Sequence, residues 1–253
     1  VGGVAGSRSA WRLTPQAAVL LIAAAIAWVA IVAWSRASGP MTGTMGLGLP
    51  EFLVAWTVMM AAMMLPSVAP VASLYVRSIS GRRAVRLTVF TVGYLLVWAA
   101  AGVIAFVLGS VIAGLAGADP RLGTAAGVVA YLGCGLYQLS PLKYRCLAYC
   151  RSPLSLFFHY GSYKGPLRDL RVGAHHGAYC LACCWGLMVV LLALGAMSVV
   201  PMLILATVVI AEKLWSRGEA FSRVVGIACL GLALGTIWVP GLAPGFVASM
   251  PGT

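Results

Sequence analysis

Apolar runs of about 20 residues follow one another along nearly the whole chain, broken by short basic or Gly/Pro-rich segments, and a hydrocarbon core about 30 Å thick needs about 20 such residues per helical crossing. The pattern requires an all-α, polytopic transmembrane helix bundle. Composition agrees: of 253 residues, 62% are hydrophobic and 9% charged, against roughly 25% charged in soluble domains. No room is left for a separate soluble domain.

Seven spans are expected, near 15–34, 49–75, 87–108, 122–140, 175–197, 201–211 and 221–238, forming one transmembrane domain over 15–238. Residues 1–14 read as a short cytoplasmic segment and 239–253 as a loose tail. Arg8 and Arg12 ahead of the first run resemble the start of a signal peptide. That run is too long for an h-region and lacks a small-residue cleavage site, so it reads as a retained span. Pro66 and Pro70 should bend the second span. The absence of internal repeats gives no support to an inverted-repeat transporter.

The formal net charge is +12, which in a soluble protein would raise nucleic acid as a partner. Here the bases fall between the spans and read instead as topology signals and contacts with anionic headgroups. With the N-terminus inside, every Lys and Arg except Arg36 and Arg121 lies in a cytoplasmic segment, Lys143 and Lys213 included. The expected topology is therefore N-in and C-out, with a long basic cytoplasmic loop, 142–172, between spans four and five. Its mixture of aromatics and bases suggests a segment lying in the interface.

The segment "GAHHGAYCLACCWGLM", Gly173 to Met188, opens the fifth span with two histidines and three cysteines. His176, Cys180 and Cys184 are spaced i, i+4, i+8 and share one helix face, with Cys183 a turn from both His176 and Cys180. Cys134, Tyr137 and Gln138 approach the cytoplasmic end of span four, followed by Cys146 and Cys150, and Glu212 closes the same end of span six. Met60 and Met64 are an i, i+4 pair within "MMAAMM". Thiolate, imidazole and thioether together suit Cu(I), with zinc or iron as competitors, whereas magnesium and calcium prefer oxygen.

Each ligand type also has a plain structural use. A buried cysteine packs as a small hydrophobe and methionine fills irregular gaps; Cys229 and Cys134, taken singly, read as packing. His159 between Phe and Tyr reads as a headgroup contact, and Glu212 with Lys213 as an ion pair at the end of a span.

Four stretches, "WTVMMAAMMLPSVAP", "GLYQLSPLKYRCLAYCRSPL", "GAHHGAYCLACCWGLM" and "EKL" at Glu212 to Leu214, resemble a bacterial family catalogued as predicted metal-binding integral membrane proteins, domain of unknown function 2182, some of whose members are labelled copper chaperones. The resemblance implies an inner-membrane location. It points to Met60, Met64, Pro66, Tyr137, Gln138, Pro141, Lys143, Cys146, Cys150, His176, Cys180, Cys183, Cys184, Trp185, Glu212 and Lys213, with His175 a looser part of the pattern.

The expected function is binding of Cu(I) near the cytoplasmic face for delivery or transport. Cys180 and Cys184 are the core ligands, His176 and Cys183 complete or flank them, Cys146 and Cys150 capture or hand over the ion, and Met60 and Met64 continue the path. A membrane metalloenzyme is the expected client. The alternatives are an accessory or assembly subunit whose cysteines only pack, and a membrane thiol-redox protein; the latter lacks the CxxC spacing of thiol oxidoreductases. No catalytic constellation and no ATP-binding GxxxxGK[ST] motif is present, so no enzyme activity is expected.

Overall fold

A computed structural model describes residues 14–38, 44, 46–78, 81–151, 165–196 and 198–246. His159, Arg8, Arg12 and the last residues of the C-terminal tail lie outside them. The described chain is helical: α1 (Pro15–Ser38), α2 (Leu49–Arg77), α3 (Arg83–Ala118), α4 (Pro120–Gln138), α5 (Pro141–Arg151), α6 (Arg168–Leu194), α7 (Val199–Leu214), α8 (Gly218–Trp238) and a 3-10 turn (Pro240–Leu242).

Five helices, α1, α2, α3, α6 and α8, are long and apolar enough to cross a membrane, and α4 with α5, bent by 65° at their junction, could make a sixth. The remaining expected span corresponds to α7. Its 16 residues rise about 24 Å at 1.5 Å each, short of a hydrocarbon core about 30 Å thick. At 36 residues, α3 is instead much longer than the span expected there.

Helix α2 lies at the centre. Met59, Met60, Met63 and Met64 are all fully buried, and α1, α3 and α7 pack around it. The helix runs through Pro66 and Pro70 as one α-helical element. Its neighbour α3 lies backbone-to-backbone on α6. A Cβ on Gly93 would come 2.2 Å from the Leu170 carbonyl oxygen, and one on Gly173 would come 2.0 Å from that of Phe90. Gly173 and Gly177 thus serve as the small-residue pair that lets two membrane helices touch, inside the same stretch that carries the ligands.

The loop between spans four and five is not simply an interfacial segment. Its first part folds as α5, which packs on α6 and buries Lys143, Cys146, Leu147 and Cys150, the i, i+3, i+4, i+7 stripe of an amphipathic helix. Helix α6 starts seven residues before the expected fifth span. Asp169 in its first turn accepts a hydrogen bond from the Tyr75 hydroxyl at 2.8 Å and faces Arg86 at 3.6 Å, so this extension is anchored to α2 and α3. The histidine pair therefore sits within the helix, beyond its first turn. At the other end, Gly195 turns the chain with φ of 95°. The start of the C-terminal segment packs rather than hanging free: Gly245 donates to the Ala193 carbonyl at 2.8 Å, the Tyr131 hydroxyl donates to that of Leu242 at 2.6 Å, and Phe246 is buried.

Candidate metal centre

Docking of α5 against α6 brings Cys150 Sγ to 3.9 Å from Cys183 Sγ. Cys183 and Cys184 both turn their thiols toward the Cys180 carbonyl, at 3.2 and 2.8 Å, and all four cysteines are buried. The Cys180 sulfur faces two other groups: the Tyr94 hydroxyl on α3 at 2.9 Å and the Lys213 ammonium on α7 at 2.8 Å. Close contact of α3 with α6 at Gly177, where a Cβ would lie 3.0 Å from the Tyr94 carbonyl oxygen, puts that hydroxyl in reach.

Glu212 and Lys213 do not pair with each other. Glu212 binds the Lys143 ammonium at 2.7 Å through one carboxylate oxygen and accepts from Gln138 Nε2 at 2.7 Å through the other. Lys143 also donates to the Cys183 carbonyl, and Ser222 on α8 donates to Gln138 Oε1 at 3.4 Å. One network therefore ties α4, α5, α6, α7 and α8 together around the thiols. Lys143 is 0% and Glu212 1% exposed; such a pair persists in the interior only because hydrogen bonds saturate both partners. Neither lysine is an interfacial topology signal, and the charge asymmetry rests on the remaining arginines and Lys164.

Lys213 reaches Ser67 Oγ at 3.4 Å as well as Cys180, and Ser67 in turn donates to the Met64 carbonyl at 2.9 Å. The methionine-bearing turn of α2 thus adjoins the cluster through its backbone. Tyr137 braces α4 against α6 by donating to the Ala182 carbonyl, with its ring 5.0 Å from that of Trp185. Cys146 is buried one turn before Cys150 on α5.

The two histidines diverge. His176 lies buried between the rings of Phe90 and Tyr94, at 6.3 and 6.2 Å, and its Nδ1 has no hydrogen-bond partner among the described residues. His175 packs instead against Tyr179 at 5.1 Å and Tyr149 at 6.0 Å. Among the described residues no three His, Cys, Asp or Glu side chains converge as a ready set of metal ligands. What the fold gathers is a facing pair of thiols, with two more thiols on the adjoining turn and a buried cation against one of them.

A sequence profile described as PpoB2, copper chaperone, matches residues 53–236. The chain belongs to this copper chaperone family. No curated protein and no solved structure matches it. The span matched by the PpoB2 profile contains every site residue named above, from Met60 to Lys213, and leaves out α1 and the segment after α8.

One group of the site, Tyr94, was not apparent from the sequence: it sits in an apolar run with nothing to mark it. Lys143 and Lys213 were singled out by the family resemblance alone, since by position they look like loop charges. Cys134 and Cys229, unremarkable singly, face each other at 3.8 Å. No local pattern signals that contact, because it joins helices 95 positions apart.

Proposed function

We propose that this chaperone-family protein holds Cu(I) between α5 and α6 and hands it to a membrane metalloenzyme. The observation that carries the proposal is the facing pair Cys150 and Cys183, 3.9 Å apart, with the Cys180 and Cys184 thiols on the adjoining turn. Metal–sulfur bonds of about 2.3 Å bridge such a pair after the sulfurs separate by less than about 1 Å. Cys146, one turn earlier, serves capture. His176, whose Nδ1 has no hydrogen-bond partner among the described residues, supplies a further ligand when α6 adjusts, and Met60 and Met64 lie on the inward path. Lys213 offsets the negative charge that thiolates bring to a copper complex. Under the N-in topology the centre lies toward the cytoplasmic side of a bacterial inner membrane, where thiols stay reduced.

An accessory-subunit role is the second reading. The observation favouring it is the lack of convergence of three ligands among the described residues, together with the ammonium of Lys213 lying against Cys180. Metal content decides between the readings. Full-length protein purified in detergent under anaerobic, reducing conditions and loaded with Cu(I) should carry stoichiometric copper, and Cys150→Ser/Cys183→Ser should carry about one ion fewer per chain. A folded wild-type protein that takes up no copper would return the cysteines to packing; preferential retention of zinc or iron would reassign the metal.

A further inference from the structure

Cys134 on α4 and Cys229 on α8 form a second buried pair, outside the α5–α6 cluster, with sulfurs 3.8 Å apart. Their meeting follows from glycines. A Cβ on Gly135 would lie 2.9 Å from the Gly226 carbonyl oxygen and 2.7 Å from Leu230 Cδ2, and one on Gly226 would lie 3.0 Å from Gln138 Cβ. The backbones of α4 and α8 are therefore in near contact at these positions, and the neighbouring side chains must be small. Two cysteines fill the space in thiol-to-thiol register.

Two further observations tie the pair to the site already described. Cys134 precedes Gln138 by four residues on one face of α4, and Cys229 follows Ser222 by two turns on α8. The antiparallel seam thus carries first the Gln138–Ser222 hydrogen bond, at 3.4 Å, and then the two sulfurs. Gln138 is the residue that holds Glu212. In addition, Cys134 lines a cleft of about 320 Å³ together with Ala130, Gly186 and Val189, so one of the two cysteines borders a cleft rather than only the packed seam.

We infer that Cys134 and Cys229 form a second Cu(I) site, built from two thiolates and loaded independently of the α5–α6 thiols. The inference rests on the copper-binding reading above. Soft sulfur donors without oxygen ligands select Cu(I) over hard cations, and two sulfurs from different helices suffice for a low-coordinate site. Loading is ligand exchange with no change of oxidation state: the ion leaves its donor ligand, and the displaced thiol protons pass to that ligand or to water. Packing alone would use the same two residues to fill a narrow seam, so a stoichiometry measurement must separate the possibilities.

The test is an anaerobic Cu(I) titration of the full chain in detergent against a competing chelator, for the wild type, Cys134→Ser/Cys229→Ser and Cys150→Ser/Cys183→Ser. The expected result is about two Cu(I) per chain in the wild type and about one in each double variant, with X-ray absorption of copper in Cys150→Ser/Cys183→Ser showing sulfur neighbours only. Wild-type stoichiometry in Cys134→Ser/Cys229→Ser overturns the second site, as does an absence of copper from Cys150→Ser/Cys183→Ser. Failure of the primary reading looks different: Cys150→Ser/Cys183→Ser then binds as much as the wild type. Should the serines disturb folding, Cys134→Ala/Cys229→Ala keeps the seam apolar and poses the same question, and the Cys150→Ser/Cys183→Ser protein probes the native pair directly.

Discussion

Lys143 and Glu212 show how much a single side chain can mislead when read by position. Counted by place in the chain, Lys143 is one more base in a cytoplasmic loop; in the fold it is a buried cation whose carboxylate partner stands 69 positions away. Removing one member of a buried pair strands the other, at a cost of about 3–5 kcal/mol, whereas replacing both with apolar groups often costs little. Lys143→Met and Glu212→Leu should therefore each lower the detergent melting temperature markedly, and the double variant should recover most of the loss. Additive losses in this cycle would mean that the two charges are not coupled. The shared face of His176, Cys180 and Cys184 was legible because helical spacing alone puts them there. Which sulfur meets which was not, since Cys150 comes to Cys183 only through the docking of α5. Nor was it legible that Cys180, expected to be a core ligand beside Cys184, faces Tyr94 and Lys213 instead, because those contacts come from the packing of α3 and α7 against α6.

At the scale of elements, the hydrophobic runs located the long helices well, because an unbroken apolar run of about 20 residues satisfies its backbone across a membrane as a helix. Two boundaries escaped that reasoning. The start of α6 is polar and is held by Tyr75 and Arg86, which belong to other helices. Helix α5 was hidden because "PLKYRCLAYCR" mixes charge and aromatics as an interfacial segment does; its apolar stripe becomes evident only against α6. The α3–α6 interface supplies a test at this scale. Gly173→Ala places a methyl 2.0 Å from the Phe90 carbonyl oxygen, a backbone atom that can yield only by moving the helices apart. Overpacking of this kind costs about 1–3 kcal/mol, and separation of the helices also draws Tyr94 from Cys180. Gly114 on α3, whose added Cβ would meet nothing within 4 Å, gives the control: Gly114→Ala should be neutral or slightly stabilising, since alanine is the better helix former by about 1 kcal/mol. Thermal melts of both variants in one detergent check the contrast, and equal melts would mean that the glycine contact does not hold α3 to α6.

For the whole molecule the number of crossings turns on two elements, the bent α4–α5 pair and α7, and α7 is the one that falls short in length. A helix rising about 24 Å falls short of the bilayer by about 6 Å, yet mismatch costs only fractions of a kcal/mol per Å. Helix α7 is also packed against α2, α6 and α8. Glu212 and Lys213 near its end are satisfied by Gln138, Lys143, Ser67 and Cys180, so those charges do not need to reach the headgroups. Protein contacts can thus carry a short helix across the membrane, and the positive-inside rule applied to the arginines favours turns before α3 and after α7 on one side. The seven-span arrangement then predicts that Ser198 and Ser216, both exposed at opposite ends of α7, lie on opposite faces of the membrane. Ser198→Cys should react with an impermeant thiol reagent from outside intact cells, and Ser216→Cys only after permeabilisation, with the buried native cysteines setting a slow background. Labelling of both from the same side would make α7 a re-entrant helix; α8 would then run the opposite way, and the α5–α6 thiols would keep their place relative to the cytoplasm because α1 to α6 are unaffected.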